Sequence, residues 1–269
     1  MLGHGPFFGQ DIKDMAKTPY NPTKIIEGGQ QIQLDIQDSY LLRVLEGLRL
    51  DTKLSIVWDC GNGVAGPVID KLSKSLSGEH EVLFADVDGN FPNHHPDPTI
   101  EKNLETLITR VKKRNADLGI AFDGDGDRLI IVDSEAKALD GDDILFLLAK
   151  FKFENQIVLG SKGVVGTDMT NKGLENALSE MGIELVRSKV GDKYVLEKLL
   201  ELGWQLGGEQ SGHIICLDSV ATGDAIIAAI KFFEAFLTFG KPLNEILGSL
   251  KKYPQILTNI EVANAESIL

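Results

Sequence analysis

Short apolar segments alternate with segments of helical periodicity from residue 54 onward, and this alternation limits the folds that the chain can adopt. Segments of this kind bury their apolar residues as sheets that are covered by helices. The predicted strands are 54–58, 82–87, 118–122, 129–132, 157–160, 183–186 and two short ones near Gln205 and Ile214. The predicted helices are 64–76, 101–113, 142–151, 171–181, 193–202 and 224–239. The fold class that we expect is therefore α/β.

The two ends of the chain show less regular patterns. Repeated glycines and prolines predict irregular structure for the first thirty-odd residues. A helix follows them, because Leu41, Leu42, Leu45 and Leu48 fall on one face at helical spacing. Residues 256–262 predict a strand that opens a further unit. The length accommodates about two domains of roughly 100–150 residues each, and we place the boundary between the two strand–helix runs near residues 152–156.

The charge and composition of the chain exclude several classes of protein. A net charge of −13 argues against DNA or RNA binding, because neutralising phosphates requires clustered Lys and Arg. The apolar runs are far shorter than the roughly 20 residues of a membrane span. Cys60 and Cys216 are far apart in the sequence, which does not suggest a disulfide framework. We therefore expect a cytoplasmic protein with no nucleic-acid or membrane partner.

The strongest motif is the loop Asp123-Gly124-Asp125-Gly126-Asp127-Arg128, directly after an apolar strand. Three carboxylates in a tight loop repel one another unless a cation neutralises them, and carboxylate oxygens are preferred ligands of hard divalent cations. The alternative is a solvated acidic turn. An EF-hand calcium loop is excluded, because its sixth and twelfth positions require Gly and Glu, whereas this loop has Arg128 and Ser134 there.

A second motif, Gly61-Asn62-Gly63-Val64-Ala65-Gly66, matches the dinucleotide-binding fingerprint. It follows a predicted strand, opens a predicted helix and has Asp86 about twenty residues further on, where a ribose contact would lie. The competing interpretation is a tight strand–helix turn whose glycines permit close packing. We prefer the turn, because an acidic metal loop has no place in a nicotinamide site.

Three further polar segments have no single interpretation from their residues alone. Residues 209–213 combine Glu, Ser and His, which suits hydrogen bonding to a polyol or simply a polar turn. Asp192 lies at a strand–helix junction, where it is predicted to be an N-cap. Residues 90–98 contain His94 and His95 among three prolines, and we interpret this segment as a rigid loop.

Taken together, these segments resemble the α-D-phosphohexomutase superfamily over nearly the whole chain. Residues 123–128 look like its Mg²⁺ loop, and residues 208–213 look like its sugar-recognition loop. The part up to about Asp117 is similar to bacterial phosphomannomutase/phosphoglucomutase, through segments 5–12, 59–66 and 88–98. The remainder is more similar to phosphoglucosamine mutase, through segments 165–167, 189–195, 207–213 and 222–224.

The resemblance implies consecutive phosphohexomutase-type domains with mixed sheets covered by helices. The expected divisions are the tail of the first domain at 1–50, the second domain with the metal-binding loop at 51–153, the third with the sugar-recognition loop at 154–252 and the start of a fourth at 253–269. It also implies that the catalytic serine lies before Met1, because segment 18–22 has Tyr20 where the family has its serine and histidine. The phosphate-binding loop of the last domain would follow Leu269.

The resemblance also implies how the acidic loop takes part in the chemistry. Asp123, Asp125 and Asp127 are expected to bind Mg²⁺ together with a phosphoserine oxygen. The metal is expected to act as a Lewis acid and template. Arg128 is expected to contact phosphate, since its planar guanidinium suits phosphate oxygens.

The remaining expected site residues lie in the second strand–helix run. Glu209 and Ser211 are expected to bind sugar hydroxyls. His213 is a candidate general acid–base, because imidazole titrates near neutrality. Lys193 is expected to approach the phosphate of the substrate.

The activity that the resemblance implies is a Mg²⁺-dependent isomerase of the phosphotransferase type. A phosphate moves between the 1 and 6 positions of a hexose phosphate through a phosphoserine and a hexose bisphosphate intermediate. The mixed similarity leaves open whether the sugar is phosphomannose/phosphoglucose or phosphoglucosamine. We expect the chain by itself to bind Mg²⁺ weakly without mutase turnover. A non-catalytic sugar-phosphate or metal-binding module and a dinucleotide-binding α/β protein remain as alternatives.

Overall fold

A computed structural model describes residues 9–17, 32–46, 48, 53–155, 163–256 and 258. The helices are α1 Gly9–Lys17, α2 Gln37–Val44, α3 Gly66–Ser75, α4 Glu105–Arg114, α5 Gly141–Glu154, α6 Lys172–Glu180, α7 Asp192–Leu202, α8 Ala225–Phe239 and α9 Leu243–Ile246. The strands are β1 Leu54–Asp59, β2 Gly78–Leu83, β3 Leu118–Phe122, β4 Leu129–Asp133, β5 Ala138–Leu139, β6 Gly163–Thr167, β7 Glu184–Ser188, β8 Leu206–Gly208 and β9 Ile214–Cys216. A 3₁₀ turn at Glu101–Leu104 precedes α4.

The first sheet has five strands in the order β2-β1-β3-β4-β5. β1 pairs in parallel with β2 and β3, whereas β3–β4 and β4–β5 are antiparallel. β3 and β4 are buried along their whole length, as their continuous apolar sequences require of strands covered on both faces. The loop 123–128 connects these two antiparallel strands, so it lies at the carboxyl end of β3, beside that of β1.

The second sheet has four strands in the order β7-β6-β8-β9. β6 pairs in parallel with β7 and β8, and β8 pairs with β9 in an antiparallel hairpin. Residues 209–213 form the connection of that hairpin. Both sheets are therefore mixed, and each contains an antiparallel pair, β3–β4 in the first and β8–β9 in the second, whose connecting loop carries polar residues.

One apolar cluster joins the two strand–helix units. In the first sheet the Trp58 ring lies parallel to the Phe122 ring, with centroids 6.3 Å apart, and meets Phe233 of α8 edge-on at 5.6 Å. α5 contributes buried residues to the same cluster and contacts strands of both sheets. Burying an aromatic side chain contributes about 2–3 kcal/mol. These contacts therefore hold the loops 123–128 and 209–213 at fixed positions relative to each other.

The structure confirms the α/β class and mixed sheets, and it corrects several element boundaries. Residues 9–17 form a helix, so the irregular structure predicted for the first thirty-odd residues is wrong there. β2 begins at Gly78 rather than at 82, because this edge strand contains polar residues that the apolar pattern does not detect. In α2, Leu42 is 74% exposed and does not share the packed face of Leu41.

Other predictions fall partly outside the described residues. The predicted strand 157–160 lies outside them, while β6 at 163–167 is absent from the predicted elements. Most of the strand predicted at 256–262 also lies outside the described part of the chain. The division into four domains at the bounds given above stays a prediction. Among the described residues, no helix has both the length and the apolar character required to cross a membrane.

Candidate active site

The acidic loop, residues 123–128, brings its three aspartates together. Asp123, Asp125 and Asp127 each offer one carboxylate oxygen, and these oxygens lie within 4.8 Å of one another. Asp123 is fully buried, Asp127 is half-buried and Asp125 is exposed. The loop therefore presents a set of hard oxygen donors that open toward solvent on the Asp125 side.

Asp123 organises the loop from inside. Its Oδ1 accepts hydrogen bonds from the backbone N–H groups of Gly126 (3.0 Å), Asp127 (3.0 Å) and Arg128 (3.1 Å). Its Oδ2 accepts from Arg128 Nε at 2.8 Å. Burial raises the pKa of Asp123 to about 6, although the hydrogen bonds from Arg128 oppose this shift. The glycine at 126 has φ +77°, the left-handed conformation that closes the loop.

Asp127 interacts with the second strand–helix unit through His213. Nδ1 of His213 lies 3.2 Å from Oδ2 of Asp127. The hydrogen bond from His213 lowers the pKa of Asp127 to about 2. Burial acts to lower the pKa of His213, but Asp127 outweighs it and the net shift is upward. The two groups thus form an ion pair that spans 86 residues of sequence.

The donor set suits Mg²⁺. Oδ1 of Asp127 is buried and has no hydrogen-bond partner within the described residues. A buried carboxylate oxygen without a partner is costly, and a divalent cation would satisfy it. Mg²⁺ binds carboxylate oxygens and keeps several waters, which the exposed side of Asp125 allows. Asp123, Asp125 and Asp127 therefore fit the metal that the sequence predicts.

Neighbouring elements fix the acidic loop through its backbone. The carbonyl of Gly124 accepts a hydrogen bond from Val64 N (3.0 Å), and the carbonyl of Gly126 accepts one from Ala225 N at the start of α8 (3.1 Å). At the end of the loop, Leu129 N donates to the carbonyl of Gly212 (3.2 Å). The acidic loop therefore contacts both the turn after β1 and the second unit.

The second polar loop lies in residues 208–213, the segment whose sequence resembles a sugar-recognition loop, and that name is kept for it below. Glu209 N donates to His213 O (2.9 Å), which makes a tight connection between β8 and β9. Gly141 N at the start of α5 donates to Gln210 O (3.0 Å), and Gly191 N donates to Oε1 of Glu209 (2.8 Å). The loop is thus supported from two sides by backbone N–H groups.

A cavity of about 700 Å³ lies between the two units. Glu209, Gln210 and Ser211 line it from the sugar-recognition loop, and Thr99, Glu101 and Lys137 are among the residues that line it from the first unit. The volume falls within the roughly 300–1,000 Å³ range of small-molecule sites. The structure therefore places Glu209 and Ser211 at a cavity large enough for a sugar phosphate.

The other predicted site residues lie in different environments. Arg128 is about one-third exposed and its Nε lies 2.8 Å from Asp123 and 3.6 Å from Asp127, so it partly neutralises the loop. His213 is only 4% exposed, and its Nε2 has no partner within the described residues. Lys193 is exposed in the first turn of α7, with its ammonium 5.2 Å from the Tyr194 ring centroid, and it does not line the cavity.

Two interpretations of polar residues change with the structure. The N-cap of α7 is Gly191, with φ 125°, so the prediction that Asp192 is an N-cap is wrong by one residue. Asp140, which is not among the predicted site residues, caps α5, lies 3.4 Å from the Gln210 amide and lines the cavity. Its position directly before an apolar helix is the N-cap signal that identifies it.

The glycines of the motif 61–66 have packing roles. A Cβ at Gly66 would lie 1.9 Å from the carbonyl oxygen of Ala85, and a Cβ at Gly63 would lie 2.7 Å from that of Gly124. Gly61 and Asn62 both have positive φ. These contacts account for the glycines as a close-packed turn, the interpretation preferred from the sequence.

A mixed α/β fold in which an acidic loop contacts a second polar loop defines the class of protein, and comparison with known proteins agrees. Residues 38–137 match the family described as phosphoglucomutase/phosphomannomutase, alpha/beta/alpha domain II, and residues 140–253 match its alpha/beta/alpha domain III. The chain belongs to this family, within the α-D-phosphohexomutase superfamily, and confirms the resemblance found in the sequence.

Particular relatives refine the comparison. A phosphoglucosamine mutase of Hydrogenovibrio crunogenus is 44% identical over 217 residues, which is 81% of this chain and 47% of that protein. A solved phosphoglucomutase/phosphomannomutase family protein from Burkholderia thailandensis has a TM-score of 0.75 and 35% identity, over 82% of this chain and 48% of that one. The N-acetylphosphoglucosamine mutase of Aspergillus fumigatus, solved with GlcNAc-6P and magnesium, shares the fold (TM-score 0.63, 23% identity, 84% of this chain and 54% of that one). The chain spans about half the length of these relatives.

Proposed function

We propose that this chain provides the metal-binding and sugar-binding part of a Mg²⁺-dependent phosphohexomutase. The observation that carries the proposal is the direct contact between the acidic loop and the sugar-recognition loop, at Leu129–Gly212 and Asp127–His213. The enzyme would move a phosphate between the 1 and 6 positions of a hexose through a phosphoserine and a bisphosphate intermediate. The relatives named phosphoglucosamine mutase favour phosphoglucosamine as the substrate, over phosphomannose or phosphoglucose.

Asp123, Asp125 and Asp127 are the residues that would hold Mg²⁺. The bound ion supplies Lewis-acid polarisation of a phosphoryl oxygen and neutralises charge during transfer. Asp123 keeps the loop in shape through its backbone hydrogen bonds. Arg128 lies beside two of these carboxylates, so its guanidinium is held where a phosphate approaching the loop would meet it.

Glu209 and Ser211 would bind the sugar. Both line the cavity, and the Gly191 N–H holds one carboxylate oxygen of Glu209 in place. A carboxylate that is fixed in this way is prepared to accept hydrogen bonds from sugar hydroxyls with little loss of side-chain freedom. Lys193 lies outside this cavity, so any contact it makes with a substrate phosphate requires that phosphate to extend beyond the lining residues.

His213 would act from the acidic side of the site. Its Nδ1 faces Asp127, and its buried Nε2 packs against Gly223 and makes no hydrogen bond with a described residue. Asp127 favours the protonated imidazole, which can donate a proton. His213 is therefore the candidate general acid–base, with Asp127 orienting its ring. The division into domains at 1–50, 51–153, 154–252 and 253–269 belongs to the same proposal.

The test is calorimetric binding of hexose phosphates in the presence of Mg²⁺. Glucosamine 6-phosphate, glucose 6-phosphate and mannose 6-phosphate are titrated into the wild-type chain and into Glu209→Gln. We expect glucosamine 6-phosphate to bind most tightly, and Glu209→Gln to weaken binding about tenfold, as loss of a charged hydrogen-bond acceptor does. Glu180→Gln, an exposed substitution on α6, is the matched control. If Glu209→Gln bound the hexose phosphates as tightly as Glu180→Gln, the assignment of Glu209 as a sugar-binding residue would be contradicted.

A further inference from the structure

The acidic loop is packed between two segments of the first unit. On one side lies the turn 61–66, where a Cβ at Gly63 would approach the Asp123 carbonyl oxygen to 2.9 Å. On the other side lies the proline-rich loop 88–98. It packs on Gly124 of the acidic loop, since a Cβ added at Gly124 would lie 3.2 Å from the Pro96 ring and 3.5 Å from Phe91. The position of Gly124, between two of the metal-binding aspartates, therefore depends on how these two segments are held together.

His94 joins the two segments. Its Nε2 lies 3.0 Å and 3.1 Å from the two carboxylate oxygens of Asp59, the last residue of β1. Asp59 is 1% exposed, and its Oδ1 also accepts from Gly61 N at 3.0 Å, so the same carboxylate organises the turn. The His94 ring meets Phe84 edge-on, with centroids 5.4 Å apart. The ring is thus fixed by three contacts.

Both nitrogens of His94 face oxygen acceptors. Nε2 faces Asp59, and Nδ1 lies 2.9 Å from the backbone carbonyl of His95. A neutral imidazole has one N–H, whereas the imidazolium has two and satisfies both acceptors. The hydrogen bond to Asp59 outweighs the effect of burial and raises the pKa of His94 above its ordinary value of 6.5. The pair is therefore a partly buried ion pair, and neither ring nitrogen is available as a metal ligand.

Two further hydrogen bonds join the proline-rich loop to the turn 61–66. Asn93 Nδ2 donates to Asn62 Oδ1 at 2.7 Å, and Asp88 N donates to Asn62 O at 3.0 Å. The proline-rich loop is thus tied at Asn93 and His94, which lie between Phe91 and Pro96, the two residues packed on Gly124. Of these ties, the His94–Asp59 contact is the charged one and the one anchored on a buried strand end.

We propose that His94, through its contact with Asp59, is a positioning residue that holds the acidic loop in the geometry that binds Mg²⁺. This inference rests on the proposed function, because it presumes that the acidic loop is the Mg²⁺ site. His94 acts at a distance: it fixes the loop 88–98, that loop packs on Gly124, and Gly124 separates the ligands Asp123 and Asp125.

The experiment measures Mg²⁺ affinity of the 269-residue chain by calorimetry at neutral pH. Wild type is compared with His94→Gln, Asp59→Asn and the double variant, and His95→Gln is the control, because His95 is exposed beside His94. We expect His94→Gln to weaken binding about tenfold, the lower end of the range for residues that support metal ligands. We expect His95→Gln to bind as wild type does. The double variant should bind Mg²⁺ as tightly as the single variant with the lower affinity does, since the two residues act as one unit.

A second readout separates positioning from general loss of structure. The imidazole titration of His94, followed by NMR, should give a pKa above 6.5 in wild type and a lower one in Asp59→Asn. Asp59→Asn keeps an acceptor for Gly61 N and is the variant to rely on if His94→Gln does not fold. Wild type that binds Mg²⁺, with both single variants binding equally well, would overturn this inference and leave the proposed function intact. Wild type that binds no Mg²⁺ would overturn the proposed function first.

Discussion

The acidic loop and the sugar-recognition loop both connect antiparallel strands, but they are held in different ways. The acidic loop is organised from within, since Asp123 accepts three backbone hydrogen bonds from its own loop. The sugar-recognition loop is supported from outside, by N–H groups of Gly141 and Gly191 in neighbouring segments. Both loops also make backbone hydrogen bonds with neighbouring segments. The difference is the buried Asp123 carboxylate, which accepts hydrogen bonds from three N–H groups of its own loop, whereas no described side chain does this in the sugar-recognition loop.

The largest loss of stability and of Mg²⁺ binding is expected at Asp123, which both shapes the acidic loop and is a predicted metal ligand. Asp123→Ala removes the acceptor of three backbone N–H groups and of the Arg128 guanidinium. We expect the free energy of unfolding to fall by about 3 kcal/mol, since the buried donors lose their partner, and Mg²⁺ binding to be lost. Urea denaturation and calorimetry measure the two effects, and unchanged stability would show that the loop is not held from within.

The next largest effect is expected for a substitution at Asp125, which should change Mg²⁺ binding without changing the shape of the acidic loop. Asp125 is the exposed member of the triad, so Asp125→Asn should leave the acidic loop folded. We expect Mg²⁺ affinity to fall about 100-fold, at or beyond what loss of a supporting residue costs. Without Mg²⁺, the free energy of unfolding should stay within about 0.5 kcal/mol of wild type, because the substitution relieves repulsion among carboxylates. A large loss of stability in this variant would contradict the comparison with Asp123.

The next prediction concerns the pH dependence of stability, through a buried acid in α5, the helix whose first residue supports the sugar-recognition loop. Asp142, in the first turn of α5 after Gly141, is fully buried, and burial raises its pKa from 3.8 to about 7 against the opposing Asn171 hydrogen bond. Because the folded state binds this proton more tightly than the unfolded state, the free energy of unfolding falls as pH rises from about 3.8 to about 7, and the full destabilisation remains above pH 7.

Asp142→Asn should therefore be more stable than wild type in mildly alkaline solution, by roughly 2–4 kcal/mol. The advantage should shrink as the solution becomes acidic, since wild-type Asp142 is then neutral as well. Thermal unfolding across a pH series measures this difference. Asp168→Asn, at an exposed position, is the control and should reproduce the wild-type profile. An unchanged slope in Asp142→Asn would show that Asp142 ionises freely in the folded protein.

The smallest effect is expected within the sugar-recognition loop itself. Ser211 lines the cavity, and Ser211→Ala removes one hydroxyl without removing a backbone support. We expect about fivefold weaker binding of the preferred hexose phosphate, equivalent to one neutral hydrogen bond of about 1 kcal/mol. Mg²⁺ affinity, measured separately by calorimetry, should not change. If Ser211→Ala lowered Mg²⁺ affinity as much as Asp125→Asn does, the proposal that one loop binds the metal and the other the sugar would be contradicted.

The sequence predicts the fold best where a buried strand is also continuously apolar. β6 is buried along its whole length but is not predicted, because its sequence contains two glycines and a threonine. β1, β3 and β4 are apolar and buried, so their positions follow from the apolar pattern. β2 is displaced in the prediction because this edge strand carries Glu79 and Glu81, which the pattern treats as loop. α1 is missed because glycines and prolines surround it in the sequence.

The site is predictable in its motifs and not in its long-range contacts. Asp123, Asp125 and Asp127 lie in one short loop, so their convergence follows from spacing alone. The contact of Asp127 with His213 and that of Asp59 with His94 join residues far apart in the chain. No local pattern encodes such pairs, because they depend on which strand ends the two sheets bring together.

A crystal structure of the chain soaked with Mn²⁺ tests the metal site most directly, because this divalent ion takes the same oxygen ligands and has a measurable anomalous signal. We expect one strong anomalous peak at the acidic loop, coordinated by carboxylate oxygens of Asp123, Asp125 and Asp127. No peak there, or a peak held by other residues while the loop keeps its present shape, would contradict this expectation.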